Sequence, residues 1–381
     1  MPMPLERPPF DTIALVLQGG GALGAYQAGV MEGLADAGIE PDWVAGISIG
    51  AINAALIAGN APAHRIDRLR EFWKTVSQPA VWPDTLSFLD AIVEPSDGWR
   101  RQFWNGLSAW RALTEGQRGF FTPRPPAAFI GSQAPDAASF YDTAPLKATL
   151  ERLVDFDRIN AGQMRLTVSA VDVETGNFEV FDNQHGRWRK RLRAEHIMAS
   201  GVDLWSARGK LPTNVIDAQE RVKDIQYSSR TRAITNMQAA EQRQRRMLRE
   251  LLELIPPEER ARHPAARAAA HQATARCVSV IQLIYQDKEW DGLSKDYEFG
   301  AATMRSHWDS GLADINRTLE HPHWLERPEG DDPFARHRIR SKHGHPARSE
   351  AASQDPRTYD GRAAKRRGSC GQGWILRLRA G

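Results

Sequence analysis

Cysteine is scarce in this chain, with two in 381 residues, Cys277 and Cys370. Thiols so far apart match no metal-ligand spacing and no disulfide framework, so a reducing, cytoplasmic setting is expected. Long apolar runs are lacking as well. No stretch approaches the roughly 18 apolar residues of a membrane-spanning helix. Met1 to Phe10 is proline-rich and has no apolar segment, so a secretory signal is not expected there. No internal repeat is present. The composition that remains is 41% hydrophobic and 25% charged, enough to bury the core of one large domain or two modest ones.

The net charge of +3 is unevenly placed. From Arg336 to Gly381 twelve Lys/Arg stand against three Asp/Glu, a net of +9 that leaves the rest of the chain near −6. A basic end of this kind can bind anionic lipid or nucleic acid; of the two, peripheral contact with a membrane is the expected one, and no nucleic-acid partner is expected. The tail itself is expected to be solvated and disordered, although it carries a late apolar run, Trp374-Ile375-Leu376. The expected division is a flexible segment over 1–10, one domain over 11–300, a C-terminal extension over 301–335 and the basic tail over 336–381.

Ile13 to Leu17 is an apolar run of strand length, followed by a glycine-rich loop from Gln18 to Gly24. Tyr26 to Ala37 has apolar residues at helical spacing. Trp43 to Ala45 reads as a second strand, Gly46 to Gly50 as a tight turn, and Ala51 to Ala58 as a small-residue helix. Strand, loop, helix, strand, turn and helix in that order imply a parallel sheet with right-handed crossovers, hence an α/β fold. Ser77 to Pro145 is rich in proline and holds Trp82, Trp99, Trp104 and Trp110. It reads as an irregular segment that either fills a satellite core or forms a lid. Met164 to Val173 and Asn177 to Phe181 are two further strands joined by Glu174-Thr175-Gly176. Thr235 to Ile255 is a long polar helix stopped by Pro256-Pro257, and Arg276 to Tyr285 is a late buried strand.

Gly46-Ile47-Ser48-Ile49-Gly50 is a G-x-S-x-G turn, the arrangement that projects a serine from a sharp strand-to-helix bend. The following helix points its positive end at the serine, which favours developing negative charge. Gly19-Gly20-Gly21-Ala22-Leu23-Gly24 lets successive amides converge, as in an anion-binding nest. Beside Ser48 such a loop is an oxyanion hole. Gly19, Gly21 and Gly24 also fit G-x-G-x-x-G, but a dinucleotide site needs an acid at the far end of the second strand. Here Glu40 and Asp42 precede that strand and Gly46 ends it.

A G-G-G-x-x-G loop, a crossover helix and a G-I-S-I-G elbow in this order resemble the patatin-like phospholipase family. Tyr141-Asp142-Thr143-Ala144-Pro145-Leu146, the strand pair from Leu166 to Phe181 and Glu195-His196-Ile197-Met198-Ala199-Ser200 extend the resemblance over about residues 10 to 200. It implies a three-layer α/β fold with a central, mostly parallel sheet flanked by helices and a long helical C-terminal half. It implies a lipid acyl-ester hydrolase with a Ser–Asp dyad and no metal or cofactor. Ser48 is then the nucleophile, Gly19, Gly20, Gly21 and Gly24 form the oxyanion and substrate loop, and Gly46 and Gly50 shape the elbow.

The family's aspartate belongs to an Asp-Gly-Gly or Asp-Gly-Ala motif, and this chain has none. Its Asp-Gly pairs are Asp97-Gly98, Asp291-Gly292 and Asp360-Gly361, none followed by Gly or Ala. The chain runs from Ser200-Gly201 directly into Val202-Asp203, where the family has a proline-rich turn and a strand. A deletion at that join is the simplest account. Asp203, nearest to the join, Asp172, near the end of a strand, and His196 are the remaining candidate bases, and the resemblance gives His196 no catalytic role. Without a base a serine hydroxyl is a weak nucleophile, so impaired hydrolysis is expected. The alternative is a non-catalytic lipid-binding or regulatory protein.

Overall fold

Thr12–Leu17 (β1) is the middle strand of a seven-stranded sheet. The computed structural model describes residues 5–78, 116–123, 141–171, 178–184, 188–200, 243–273, 276–285, 298–321, 325–326, 334–339 and 371–379. Helix α1 (Gly24–Asp36) leads from β1 to β2 (Trp43–Gly46), and α2 (Ile49–Ala58) and α3 (Pro62–Val76) follow. A two-residue pair, β3 (Thr122–Pro123) with β4 (Tyr141–Asp142), stands apart from the main sheet. Then come α4 (Ala144–Leu153), α5 (Phe156–Asn160), β5 (Arg165–Val171), β6 (Phe178–Asp182) and α6 (Ala194–Met198). The second half of the chain supplies α7 (243–253), α8 (Pro257–Arg262), α9 (Pro264–Gln272), β7 (Arg276–Ile284), α10 (Ala301–Leu319), β8 (Phe334–Ile339) and β9 (Gly371–Arg379).

The strand order is β6-β5-β2-β1-β9-β7-β8. Every neighbouring pair is parallel except β5 with β6, which run antiparallel as expected of a short hairpin. The sheet is therefore α/β and mostly parallel. Both faces of its centre are covered: Ile13, Ala14, Leu15 and Leu17 of β1 are all buried. Helix α2 is buried at all ten positions, which suits its run of Ile, Ala and Leu with no charge.

Two expectations about the C-terminal part change. Residues 371–379, assigned from sequence to a disordered basic tail, form β9 between β1 and β7, with Leu376 fully buried. Net charge over 336–381 concealed a period of strand length in which Trp374-Ile375-Leu376 is the centre. Ala301–Leu319, assigned to an extension, is a helix of the main core. Its Trp308 and Ile315 are buried, and it lies along α1 so closely that glycines form the seam. A Cβ on Gly29 would lie 2.0 Å from the Trp308 carbonyl oxygen, and one on Gly311 would lie 2.0 Å from that of Tyr26. Tyr26 donates its hydroxyl to Asp314 Oδ2 at 2.8 Å across the same seam. Burial, then Asp314, push the Tyr26 pKa well up, so it stays a donor.

Leu252, Ala266 and Ala273 make a separate small cluster in the α7–α9 unit. Among the described residues no helix is long and apolar enough to cross a membrane. Trp82, Trp99, Trp104 and Trp110, the Glu174-Thr175-Gly176 turn and the start of the long polar helix lie outside the described residues.

Candidate active site

The loop after β1 and the elbow after β2 leave the same edge of the sheet, because the two strands are parallel neighbours with Leu17 opposite Gly46. The Ile47 amide donates to the Leu17 carbonyl at 3.1 Å and carries the ladder one residue further. The chain then breaks sharply. Ser48 has φ 56° and ψ −128°, the only positive φ outside glycine among the described residues. A serine held there is strained, and the surroundings enforce it. A Cβ on Gly46 would lie 2.3 Å from the Gly50 carbonyl oxygen, and one on Gly50 would lie 2.3 Å from that of Leu17. Both elbow glycines are thus required by close backbone approach.

Ser200 supports the bend from the other side. The Ser48 amide donates to the Ser200 carbonyl at 2.6 Å and to its Oγ at 3.1 Å. Ser200 Oγ in turn donates to the Ser169 carbonyl on β5 at 2.5 Å. Ser200 is fully buried, so these bonds are shielded from water. The sequence pattern placed Ser200 in a family echo without a role. Only the fold shows that it holds the amide of Ser48.

In the glycine-rich loop, Gly20 and Gly21 have φ 142° and φ 52°, values that glycine adopts without penalty. Among the described residues the amides of Gly19, Gly20, Gly21 and Ala22 donate to no acceptor. The Ile49 amide, first in α2, is likewise unbonded there, and it joins the sequence-derived donors as a residue that motif reading passed over. Gly24 differs from its sequence assignment. Its amide donates to the Gly21 carbonyl, and its Cα packs where a Cβ would lie 2.5 Å from Ile49 Cγ1 and 2.7 Å from Trp73 Cζ2. Its absent side chain serves helix packing, and its N–H is already used.

Ser48 is half-buried, and no side chain among the described residues hydrogen-bonds its hydroxyl. His196 is turned elsewhere. Its Nδ1 accepts from the Arg193 amide at 3.1 Å at the start of α6, and its ring meets Phe181 edge-on at 4.9 Å. Burial, with Lys190 nearby, pushes its pKa down. Asp172, Asp203, the Gly201–Val202 join and all three Asp-Gly pairs lie outside the described residues. No group of three or more metal-ligating side chains occurs among the described residues.

A family profile described as Patatin-like phospholipase matches residues 15–207, about half of the chain, and it runs from within β1 through the loop and the elbow past Ser200. The chain belongs to the patatin-like phospholipase family. A second profile, described as Patatin phospholipase, matches residues 225–331 and so takes in α7 to α10. Among curated relatives, the patatin-like phospholipase domain-containing protein 6 of Homo sapiens is 46% identical over 68 residues, 18% of this chain and 5% of that protein. Lysophospholipase nte1 of Aspergillus terreus is 52% identical over 50 residues, 13% of this chain and 3% of that protein. The matches thus span a small fraction of either relative's length. Among solved structures, VipD from Legionella pneumophila matches with TM-score 0.22 and 15% identity, over 49% of this chain and 41% of that one. The ExoU–SpcU complex of the Pseudomonas aeruginosa type III secretion system matches with TM-score 0.20 and 23% identity, over 55% and 39%.

Proposed function

We propose that the protein is a lipid acyl-ester hydrolase of reduced power, with Ser48 as nucleophile and the amides of Gly19, Gly20 and Gly21 as oxyanion donors. The observation that carries this is the strained Ser48 at the end of β2, beside a loop of unbonded amides on the neighbouring parallel strand. The hydroxyl oxygen attacks the ester carbonyl carbon, the carbonyl π electrons move to oxygen, and the loop amides stabilise that charge. Collapse expels the alcohol and leaves an acyl-serine, which water hydrolyses. The serine proton needs an acceptor. No Asp-Gly-Gly or Asp-Gly-Ala motif supplies one, so water is its acceptor and the rate is low. Oxyanion binding and substrate positioning alone retain about 10³–10⁴ over the uncatalysed reaction.

The test is hydrolysis of a short-chain nitrophenyl ester and of a lysophospholipid by wild type and Ser48→Ala, with intact-mass detection of an acyl-enzyme. Wild-type turnover above Ser48→Ala supports the proposal. Equal rates would remove Ser48 from the chemistry. The missing motif also favours a second reading, a lipid-binding protein without turnover. Saturable binding of a lysophospholipid, unchanged in Ser48→Ala and with no acyl-enzyme in wild type, would establish that reading instead.

A further inference from the structure

Behind the glycine-rich loop lies a chain of buried amides that the motifs do not announce. Trp73 Nε1 on α3 donates to Asn53 Oδ1 on α2 at 3.1 Å. Asn53 Nδ2 donates to Gln27 Oε1 on α1 at 3.0 Å and to the Gly24 carbonyl at 2.9 Å. Gln27 Nε2 donates to the Gln18 carbonyl at 2.6 Å. Asn53 is fully buried, and Gln27 and Trp73 are nearly so.

The polarity of this relay follows from its ends. An indole N–H can only donate and a backbone carbonyl can only accept. Asn53 must therefore turn its oxygen to Trp73 and its NH₂ to Gln27. Gln27 must then turn its own NH₂ to Gln18. Neither amide can flip without leaving two like groups face to face in a dry site. The Gln18 carbonyl is thereby aimed inward, and because the peptide is planar and trans, the Gly19 N–H is aimed the opposite way. Asn53 holds the loop's other end at Gly24. Both ends of the segment that presents free amides are pinned by one relay.

We infer that Gln27 and Asn53 are positioning residues that orient the loop amides towards the charge developing at Ser48, acting through the Gln18 and Gly24 carbonyls without touching substrate. The inference rests on the proposed role of Ser48 and the loop. Losing an oxyanion donor outright costs about 10²–10³ in rate, so misaiming the loop is expected to cost about 10-fold to 100-fold.

Ser48 is titrated with a fluorophosphonate in the full chain, and both the rate constant at saturation and the labelled fraction are read. Gln27→Met keeps the volume and removes both ends of the amide. Asn53→Leu keeps the branched shape and cuts the links from Trp73 to Gln27 and from Asn53 to the Gly24 carbonyl. Both are expected to lower the saturated rate constant about 10-fold to 100-fold, with the half-saturating concentration and the labelled fraction nearly unchanged. A purely structural residue would lower the labelled fraction and leave the rate constant alone, and that result overturns the inference. So does a wild-type rate constant in either variant. Wild type labelled no more than Ser48→Ala would instead sink the underlying assignment of Ser48, a distinguishable failure.

Discussion

Replacing Gly29 by alanine tests the claim that the C-terminal helix belongs to the same core as the elbow. On helix propensity alone the change favours the protein by about 1 kcal/mol. The tertiary structure reverses that sign. The new Cβ would lie 2.0 Å from the Trp308 carbonyl oxygen and 2.8 Å from its carbon, whereas ordinary contact begins at 3.4 Å. The obstacle is backbone, so no rotamer change relieves it. Helices α1 and α10 must part by about 1.4 Å locally, and a gap of ~0.5–1 Å already forfeits a quarter to a half of each contact along the seam. Overpacking of this kind costs about 1–3 kcal/mol. Because the clash is with a carbonyl the upper part of that range applies, leaving a net loss of about 1–2 kcal/mol. Urea unfolding followed by tryptophan fluorescence measures it, and at a slope of ~2–3 kcal/mol per molar the midpoint falls by about 0.5 M. Gly311→Ala meets the Tyr26 carbonyl at the same 2.0 Å. Once one alanine has spread the helices the second finds room. The double variant should therefore lose less than the sum of the singles by about 0.5 kcal/mol or more. A Gly29→Ala protein as stable as wild type, or strictly additive losses, would refute the seam.

Four further outcomes follow from the site and the sheet. Ser48→Gly removes the proposed nucleophile and relieves the positive φ, so urea unfolding should show a gain of about 1 kcal/mol alongside lost acylation. Ser200→Ala removes the hydroxyl that joins the Ser48 amide to the Ser169 carbonyl; stability should fall by about 1–2 kcal/mol in the same assay. Deleting residues 371–381 removes the strand between β1 and β7, and the cooperative unfolding transition should vanish; a folded, soluble truncation would show that β9 is dispensable. His196 has its pKa pushed below the ordinary 6.5 by burial and Lys190. The unfolded chain takes up that proton first, so the contribution is complete above pH 6.5 and is lost as pH falls through the lower folded value. His196→Gln should flatten the fall in stability below pH 6.5, measured by urea midpoints across that range.

The local order of the first sixty residues was legible because each element there is written in short-range chemistry. Apolar runs of strand length made β1 and β2, glycines marked the loop and the elbow, and small residues made α2. The place of Ser48 on the elbow needed only the glycines on either side. The base was not legible, because it depends on a motif this chain lacks, and His196 proved to cap its own helix start. Gly24 was assigned to amide donation by its place in a glycine run, whereas its use is to let Ile49 and Trp73 approach.

From the amino-acid order alone came the α/β class, the elbow, the loop and the family they resemble, since these rest on neighbours along the chain. Only the folded chain revealed that 371–379 lies beside β1, that Ala301–Leu319 grips α1 through Gly29 and Gly311, and that Ser200, Gln27 and Asn53 hold the elbow and loop in place. Most of those pairings join residues from tens to hundreds of positions apart. Such contacts leave no periodic trace in a single sequence, because what selects them is the space left between packed elements and the polar groups that must be satisfied there.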